Sequence, residues 1–562
     1  MYASMKWLAA VLVGSTALTA TAGTCPAGNG GLKLPPGFCA TVFADKIGHA
    51  RHLVVAPNGV VYVNTWSGRY YGNDKPHDGG FLVALQDSTG SGHADVNQRF
   101  GDTVQTGSAG GTGIGLYKGA LYAEMNDRIL RYALGAGSIV PTGKPDVIVS
   151  GMPLTGDHPM HPFAIDPQGA MYVDVASATN SCQPQNRQDN IPGDKPCTEL
   201  ETRGGIWLYD ANKTGQVFSP GERYATGIRN ADGIALDAAG NLYSTQHGRD
   251  QLGTNWARFY TPEQGAELPA EELMKVVKGG DYGWPECYFD QFQNKLVLAP
   301  EYGGDGKKVG ECANKLAPVA AFPAHWAPND VVIYSGSQFP KAYQGGAFIA
   351  FHGSWNRAPF PQGGYNLVFQ PLADGKASGK YVVFADNFAG PDKEPGKARH
   401  RPSGLAVGPD GALYVTDDQA GRVWRITYVG GDMNAKLHTV SATAPPVGTA
   451  AVANPPPPEG VHKDAGTASL GSQVFSGQVG GAPCTGCHGS DGKGTPLGPD
   501  LTAGKYTWSD GSLAGIQKTI STGVPNPKNY RSPMPPMGGA QLSPEQLAAV
   551  ASYVQGLGHP KK

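Results

Sequence analysis

The chain has 562 residues, more than one hydrophobic core usually organises, so at least two bodies are expected, although a β-propeller can hold several hundred residues as one. Its net charge is −2, from 44 Lys and Arg against 46 Asp and Glu, which leaves no basic footprint for nucleic acid or an anionic membrane surface. Gly (81) and Pro (46) are abundant while 40% of residues are apolar, a balance that favours short buried strands and tight turns over disorder.

The first 22 residues, MYASMKWLAAVLVGSTALTATA, place Lys6 before an apolar run from Trp7 to Leu18, and then small residues in which Ala20 and Ala22 fit a signal-peptidase site. The run is too short to span a bilayer. It reads as a cleaved export signal, with the mature protein periplasmic or secreted and without a transmembrane anchor. Export permits disulfides, and the eight cysteines fall into sequential pairs: Cys25 with Cys39, Cys182 with Cys197, Cys287 with Cys312, and a last pair in CTGCH.

Residues 23–432 repeat one pattern six times: a few apolar residues, a tight turn, then alternating apolar residues around an aromatic, the signature of a β-hairpin. The copies begin at Leu53, Ile114, Phe163, Ile234, Tyr343 and Leu405, the fifth being the least regular. Three are followed by strand-like runs at Gly79, Arg203 and Gly421. Spacings of roughly 50 to 70 residues point to a mainly β, six-bladed propeller, in which each blade buries its faces against its neighbours. An irregular sandwich or barrel is the competing architecture. A long insertion, about Asp250 to Asp330, is expected to form an excursion on one face, stapled by Cys287 and Cys312.

Residues 433–462, centred on SATAPPVGTAAVANPPPPEG, form a Pro/Ala-rich linker that reads as extended and semi-rigid. Residues 463–562 have the size of a small, mostly α-helical domain, and Ser543 precedes a run with apolar residues at helical spacing. In APCTGCHGSDGKG, thiols three residues apart at Cys484 and Cys487 suit covalent attachment to the two vinyl groups of one haem, with the adjacent His488 ligating iron. A zinc site would need further ligands, and this region offers no other Cys and only His462 and His559. With its glycine-rich continuation and closing helix, this part resembles small cytochrome c domains. That resemblance implies a methionine as sixth ligand from SPMPPMGG, Met534 or Met537, with Met534 in the position that precedes proline.

Haem takes one electron at a time, so a two-electron cofactor or a docking surface is expected upstream. No GxGxxG follows a strand and precedes a helix, which argues against a pyridine nucleotide. The propeller instead carries His, Arg and Asn near its strand ends, in GDHPMHPFAIDPQG, GIRNADGIALD, STQHGRDQL, FHGSWNRAP and ARHRPSGLAVGPDG. Through these motifs and YGWP (Tyr282 to Pro285), residues 37–428 resemble the soluble PQQ-dependent sugar dehydrogenases of the sorbosone and aldose type. The resemblance implies a quinohaemoprotein oxidising a sugar, or a related polyol or aldehyde, at pyrroloquinoline quinone (PQQ), with electrons leaving singly through haem c to an external cytochrome or quinone. His158 is then the general base, His161 its competitor, at an ordinary imidazole pKa of about 6.5. Arg229 steadies charge on the quinone oxygen, and Asn230 and His247 contact the cofactor. Arg357, Arg399 and Arg401 meet its carboxylates, and the carbonyls of Gly248 and Arg249 ligate Ca²⁺. Two rivals remain: a lactonase-like hydrolase whose metal is held by side chains at the central channel, and a non-enzymatic electron-transfer module whose propeller docks a partner.

Overall fold

The computed structural model describes residues 25–65, 77–103, 111–441 apart from 136, 359 and 395–396, and 465–558 apart from 477–483, 490–491, 495–497, 525–526, 529, 531–533 and 540–541. The leader and most of the linker lie outside the described residues. Six sheets make the six blades of a propeller: five are four-stranded and antiparallel, and the second adds Gln216–Val217 as a fifth strand, parallel to Asp146–Ser150. The blades start at strands Ala50–Val55, Ile114–Tyr117, Phe163–Ile165, Ile234–Leu236, Pro328–Ile333 and Pro402–Val407. Five of the six sequence repeats fall on inner hairpins, and the fifth, from Tyr343, covers only the second strand of its hairpin. The fifth is irregular because its first strand, Pro328–Ile333, is separated from its partner Ala347–Phe351 by a looped segment rather than a tight turn. Elsewhere the turn chemistry is simple: Asp166 accepts from the amides of Gln168, Gly169 and Ala170, and Gly169 takes φ +101°.

The ring closes through the N-terminal strand Phe38–Ala44, which pairs with Arg422–Tyr428 and becomes the outer strand of the sixth blade. Closure between distant segments leaves no long central edge exposed. Phe38 packs edge-on against Phe339, Tyr343 and Phe384, joining the closing strand to the fifth blade. All three expected disulfides in the propeller are formed. The insertion expected over 250–330 is partly blade: Glu271–Val276 and Ala320–Phe322 are the third and fourth strands of the fourth blade. Only the stretches either side of Glu271–Val276 leave the sheet, and the second contains the hairpin Cys287–Asp290 with Lys295–Leu298.

Consecutive strands of a blade run antiparallel, so the hairpin turns lie on one face. The links from second to third strand, and from fourth strand to the next blade, open on the other face. That second face is the mouth. The C-terminal part is helical: Ala465–Phe475, Cys484–His488, Leu513–Thr522 and Pro544–Gly558 surround a core of Phe475, Ile516, Ile520, Val550 and Val554. Ser543 caps the last helix reciprocally with Gln546, as a capping box. Gly471 lets the first helix approach the last, since a Cβ there would meet the Ala549 carbonyl. Among the described residues, no helix is long and apolar enough to cross a membrane.

Candidate active site

Links around the third and fourth blades bring together six of the residues singled out in the sequence. His158 lies in the link before Phe163–Ile165, and Arg229 and Asn230 lie in the link before Ile234–Leu236. His247, Gly248 and Arg249 follow the strand Leu242–Gln246. The segment after Ala170–Val175 ties these links together, because Ser177 N donates to Arg229 O at 2.7 Å and its own carbonyl holds His158.

His158 Nδ1 donates to Ser177 O at 2.8 Å, with Ser177 Oγ at 3.1 Å. A carbonyl partner fixes the proton on Nδ1 and leaves the Nε2 lone pair to accept another. Burial, reinforced by the Arg229 cation, pushes the imidazole down to about 3. The ordinary value near 6.5 expected from sequence is therefore corrected: the ring is neutral throughout the physiological range. His161 is a core residue, 1% exposed, with its amide donating to Glu124 and its Nε2 facing Pro153 O at 3.1 Å.

Arg229 is buried behind His158. It donates to Gly248 O at 3.0 Å, to Asn180 O and Oδ1 at 3.3 and 3.1 Å, and to Asp250 Oδ2 at 3.1 Å. Asp250 also receives Arg187 at 2.9 Å and the Asn356 amide, so it joins links of three blades. Burial alone would raise the Asp250 pKa, but Arg187 and Arg229 outweigh it and hold the carboxyl well below the usual range. Arg187 in turn bridges to Asp157, beside His158, at 3.0 Å. Asn230 is buried, yet its amide makes no hydrogen bond among the described residues, so a polar ligand at the mouth would find donor and acceptor capacity there. Its backbone carbonyl accepts from His247 N at 3.0 Å, and His247 Nε2 donates to Pro328 O at 3.1 Å.

The arginines expected to meet cofactor carboxylates separate. Arg401 sits over the Tyr365 ring at 5.5 Å and donates to His352 O and Gly353 O at 3.1 and 2.7 Å. Arg399, on the same link, is exposed. Arg357 is buried and engaged with Glu267 and with the carbonyls of Ala266, Ala324 and Pro361, which withdraws it from a carboxylate-binding set. The turn expected to ligate calcium is capped by Arg229 at Gly248 O, so a cation would have to share that carbonyl with a guanidinium. Beneath the turn, Glu271 accepts from Gly248 N at 2.9 Å and from Ala327 N at 3.2 Å. Burial pushes Glu271 and its neighbour Glu272 up to about 8 each.

At the central channel, Arg51 bridges Asp418 and Asp232 at 2.8 and 3.3 Å, and His352 pairs with Asp418 at 2.8 Å. Among the described residues no group of three or more His, Cys, Asp or Glu is placed to hold a metal ion.

Sequence reasoning missed Arg187, Asp250 and Ser177. Asp250 lay inside the quoted STQHGRDQL, but nothing local shows that its partners stand 63 and 21 residues earlier.

In the helical domain a cavity is lined by Cys484, Cys487, His488 and Met534 together with Phe475, Tyr506, Trp508, Ile520 and Val550. Its apolar walls, with two thiols, an imidazole and a thioether among them, fit a haem. His488 Nδ1 donates to Pro499 O at 3.0 Å, leaving Nε2 for iron. Burial pushes the Cys484 and Cys487 thiols up to about 12 and 11. Met534, on a bridge with Val524, lines the cavity. Met537 instead takes φ +53° and accepts from Leu542 N through its sulfur at 3.4 Å.

Comparison with known proteins agrees with this division. A family model described as TrAA12-like matches residues 32–429, and one described as cytochrome c matches residues 468–558. The chain is 29% identical over 238 residues to the pyrroloquinoline quinone-dependent pyranose dehydrogenase of Coprinopsis cinerea, covering 36% of this chain and 31% of that protein. It thus spans about a third of that curated relative, and 49% of another, an uncharacterized protein of Borreliella burgdorferi. Among solved structures, the Trichoderma reesei Family AA12 protein in its calcium structure superposes with a TM-score of 0.56 at 18% identity, over 74% of this chain and 99% of that one. The holo PQQ domain of the Coprinopsis cinerea pyranose dehydrogenase gives 0.53 at 19% identity, over 70% and 97%. These two likenesses concern the fold.

Proposed function

Because the chain belongs to the TrAA12-like family over residues 32–429 and carries a cytochrome c domain over residues 468–558, we propose that it is an exported quinohaemoprotein dehydrogenase that oxidises a sugar or related polyol and passes the electrons singly through haem c to an external cytochrome or quinone. The observation that carries this reading is a neutral His158, its Nε2 available, beside the buried cation of Arg229 on one mouth. PQQ, when bound, supplies a two-electron acceptor for the hydride. His158 Nε2 would take the hydroxyl proton, the low pKa of the ring keeping that acceptor site empty. Arg229 stabilises negative charge at its end of the mouth, and the Asn230 amide adds a hydrogen bond. Arg399 and Arg401 are the guanidiniums that would meet cofactor carboxylates. Calcium at the Gly248 and Arg249 carbonyls belongs to the same proposal.

In the second domain His488 and Met534 would hold the iron, and Cys484 and Cys487 the porphyrin, a ligand pair suited to electron transfer at raised potential. The test is to purify the full chain without PQQ, restore PQQ with Ca²⁺, and screen aldoses and polyols by reduction of a small soluble dye. Dye reduction that needs PQQ and disappears in His158→Ala supports the reading. Its absence with every sugar and alcohol, or a His158→Ala variant equal to the parent, refutes it.

A further inference from the structure

Electrons from a cofactor at the mouth can reach haem only if the cytochrome c domain comes to that face. The rim offers a place. Ile191, Phe259 and Trp355 are large apolar side chains, each 39% exposed, on the second-to-third-strand links of the third, fourth and fifth blades. The links are knitted together. Asn190 N donates to Asn255 O at 2.9 Å, Asn255 Nδ2 to Asp189 Oδ1 at 2.8 Å, and Phe259 stacks on the buried Trp256. Asn356, beside Trp355, donates to Asp250. The three side chains therefore stand on braced loops around the mouth rather than on independent tips. Exposed aromatic and aliphatic groups clustered on one face of a soluble protein mark an interaction site.

We propose that this rim is the docking surface for the chain's own cytochrome c domain, an inference that rests on the dehydrogenase reading above. The chain leaves the propeller at the fifth blade: Lys341 N donates to Met433 O at 3.0 Å, and Val440 N to Val383 O at 2.9 Å. From 442 to 464 the sequence is rich in proline and alanine, and at about 3.1 Å per residue it reaches up to about 70 Å. A blade strand of about five residues is only about 17 Å long, so the tether reaches from the hairpin side of the fifth blade to the mouth. Tethering also replaces a bimolecular encounter by an effective concentration on the order of millimolar. On the cytochrome side, Pro535 and Pro536 are exposed next to Met534, which lines the haem cavity, so an apolar surface adjoins the iron's sixth-ligand position. Each sugar oxidation delivers two electrons and two protons. The electrons leave the mouth in turn, each reducing one ferric haem to ferrous; the protons go to solvent, and an external one-electron acceptor reoxidises the haem between the two.

The experiment mixes the PQQ-loaded full chain, haem oxidised, with a saturating aldose that supports dye reduction, and follows haem reduction by stopped flow beside the dye-linked rate. The variants are Ile191→Ser/Phe259→Ser/Trp355→Ser, Trp355→Ser alone, and Phe292→Ser, which removes a still more exposed aromatic (57%) from the turn between Cys287–Asp290 and Lys295–Leu298, outside the three links. Expected are haem reduction at least tenfold slower in the triple variant and intermediate in Trp355→Ser, dye rates within twofold of the parent, no effect of Phe292→Ser, and a rate constant independent of protein concentration. Haem reduction in the triple variant as fast as in the parent, an equal loss in Phe292→Ser, or a rate rising with protein concentration overturns the proposal. A parent that reduces no dye fails at the earlier step, the dehydrogenase reading itself, and takes this proposal with it.

Discussion

Asp250→Asn probes the site's electrostatic hub. The carboxylate pairs with Arg187 at 2.9 Å and Arg229 at 3.1 Å, in a setting where its side chain is 13% exposed. Two unit charges about 4 Å apart interact by about 4 kcal/mol at an effective dielectric near 20. The desolvation cost that the carboxylate no longer carries offsets part of that loss, while two guanidiniums remain facing each other. Removing one partner of a buried pair costs about 3–5 kcal/mol. Asparagine still accepts one hydrogen bond and Arg187 keeps Asp157, so a destabilisation of about 3 kcal/mol is expected in urea unfolding of the full chain. Arg229 loses its charged anchor, and dye-linked kcat/KM should fall about 10- to 100-fold, equivalent to about 1.4–2.7 kcal/mol. A change below about 0.5 kcal/mol in stability, the range of ordinary surface substitutions, together with unaltered kcat/KM, would refute the hub.

Four further outcomes follow from the same geometry. With His158 at about 3, its accepting form is present above about pH 4, so kcat/KM should show no acid limb near 6.5; a limb there contradicts the buried neutral imidazole. Between about 3 and 6.5 the unfolded state binds the proton that folded His158 refuses, so this residue's contribution makes stability rise with pH across that window. Replacing Met534 by Ala should abolish low-spin His/Met haem ligation and lower the reduction potential, whereas Met537→Ala keeps both; the reverse pattern would reassign the ligand. Chelating calcium from the PQQ-loaded protein should remove dye reduction and added Ca²⁺ restore it, while full activity after chelation would leave the Gly248 turn to Arg229 alone.

The inner hairpins were legible in the sequence because each is local: apolar runs around a turn such as DPQG carry their own register. The first strand of the fifth blade was not, since PNDVVI precedes its partner by a long link without a turn signal. Nor was the ring closure, in which Phe38 pairs with Tyr428 at the other end of the propeller. The strand Glu271–Val276 read as insertion because it opens with two glutamates, residues depleted from strands, whose burial is bearable only with partners such as Gly248 N and Gln246. His158, Arg229 and Asn230 stood out as polar residues just before blade strands. Asp250 and Arg187 did not, because an ion pair between links of different blades leaves no spacing to read. Arg357 shows the converse: as a residue type it suited a carboxylate ligand, but backbone carbonyls of neighbouring links and Glu267 take its donors.

The most direct test of the whole account is the haem spectrum of the full chain when sugar is added. With PQQ and Ca²⁺ bound and the haem oxidised, an aldose that the propeller oxidises should reduce the haem in every molecule, and the same sugar should leave it oxidised in His158→Ala or without PQQ. Haem that stays ferric while the parent reduces dye, or that is reduced equally without PQQ, would contradict an oxidation in the propeller relayed through Cys484, Cys487 and His488.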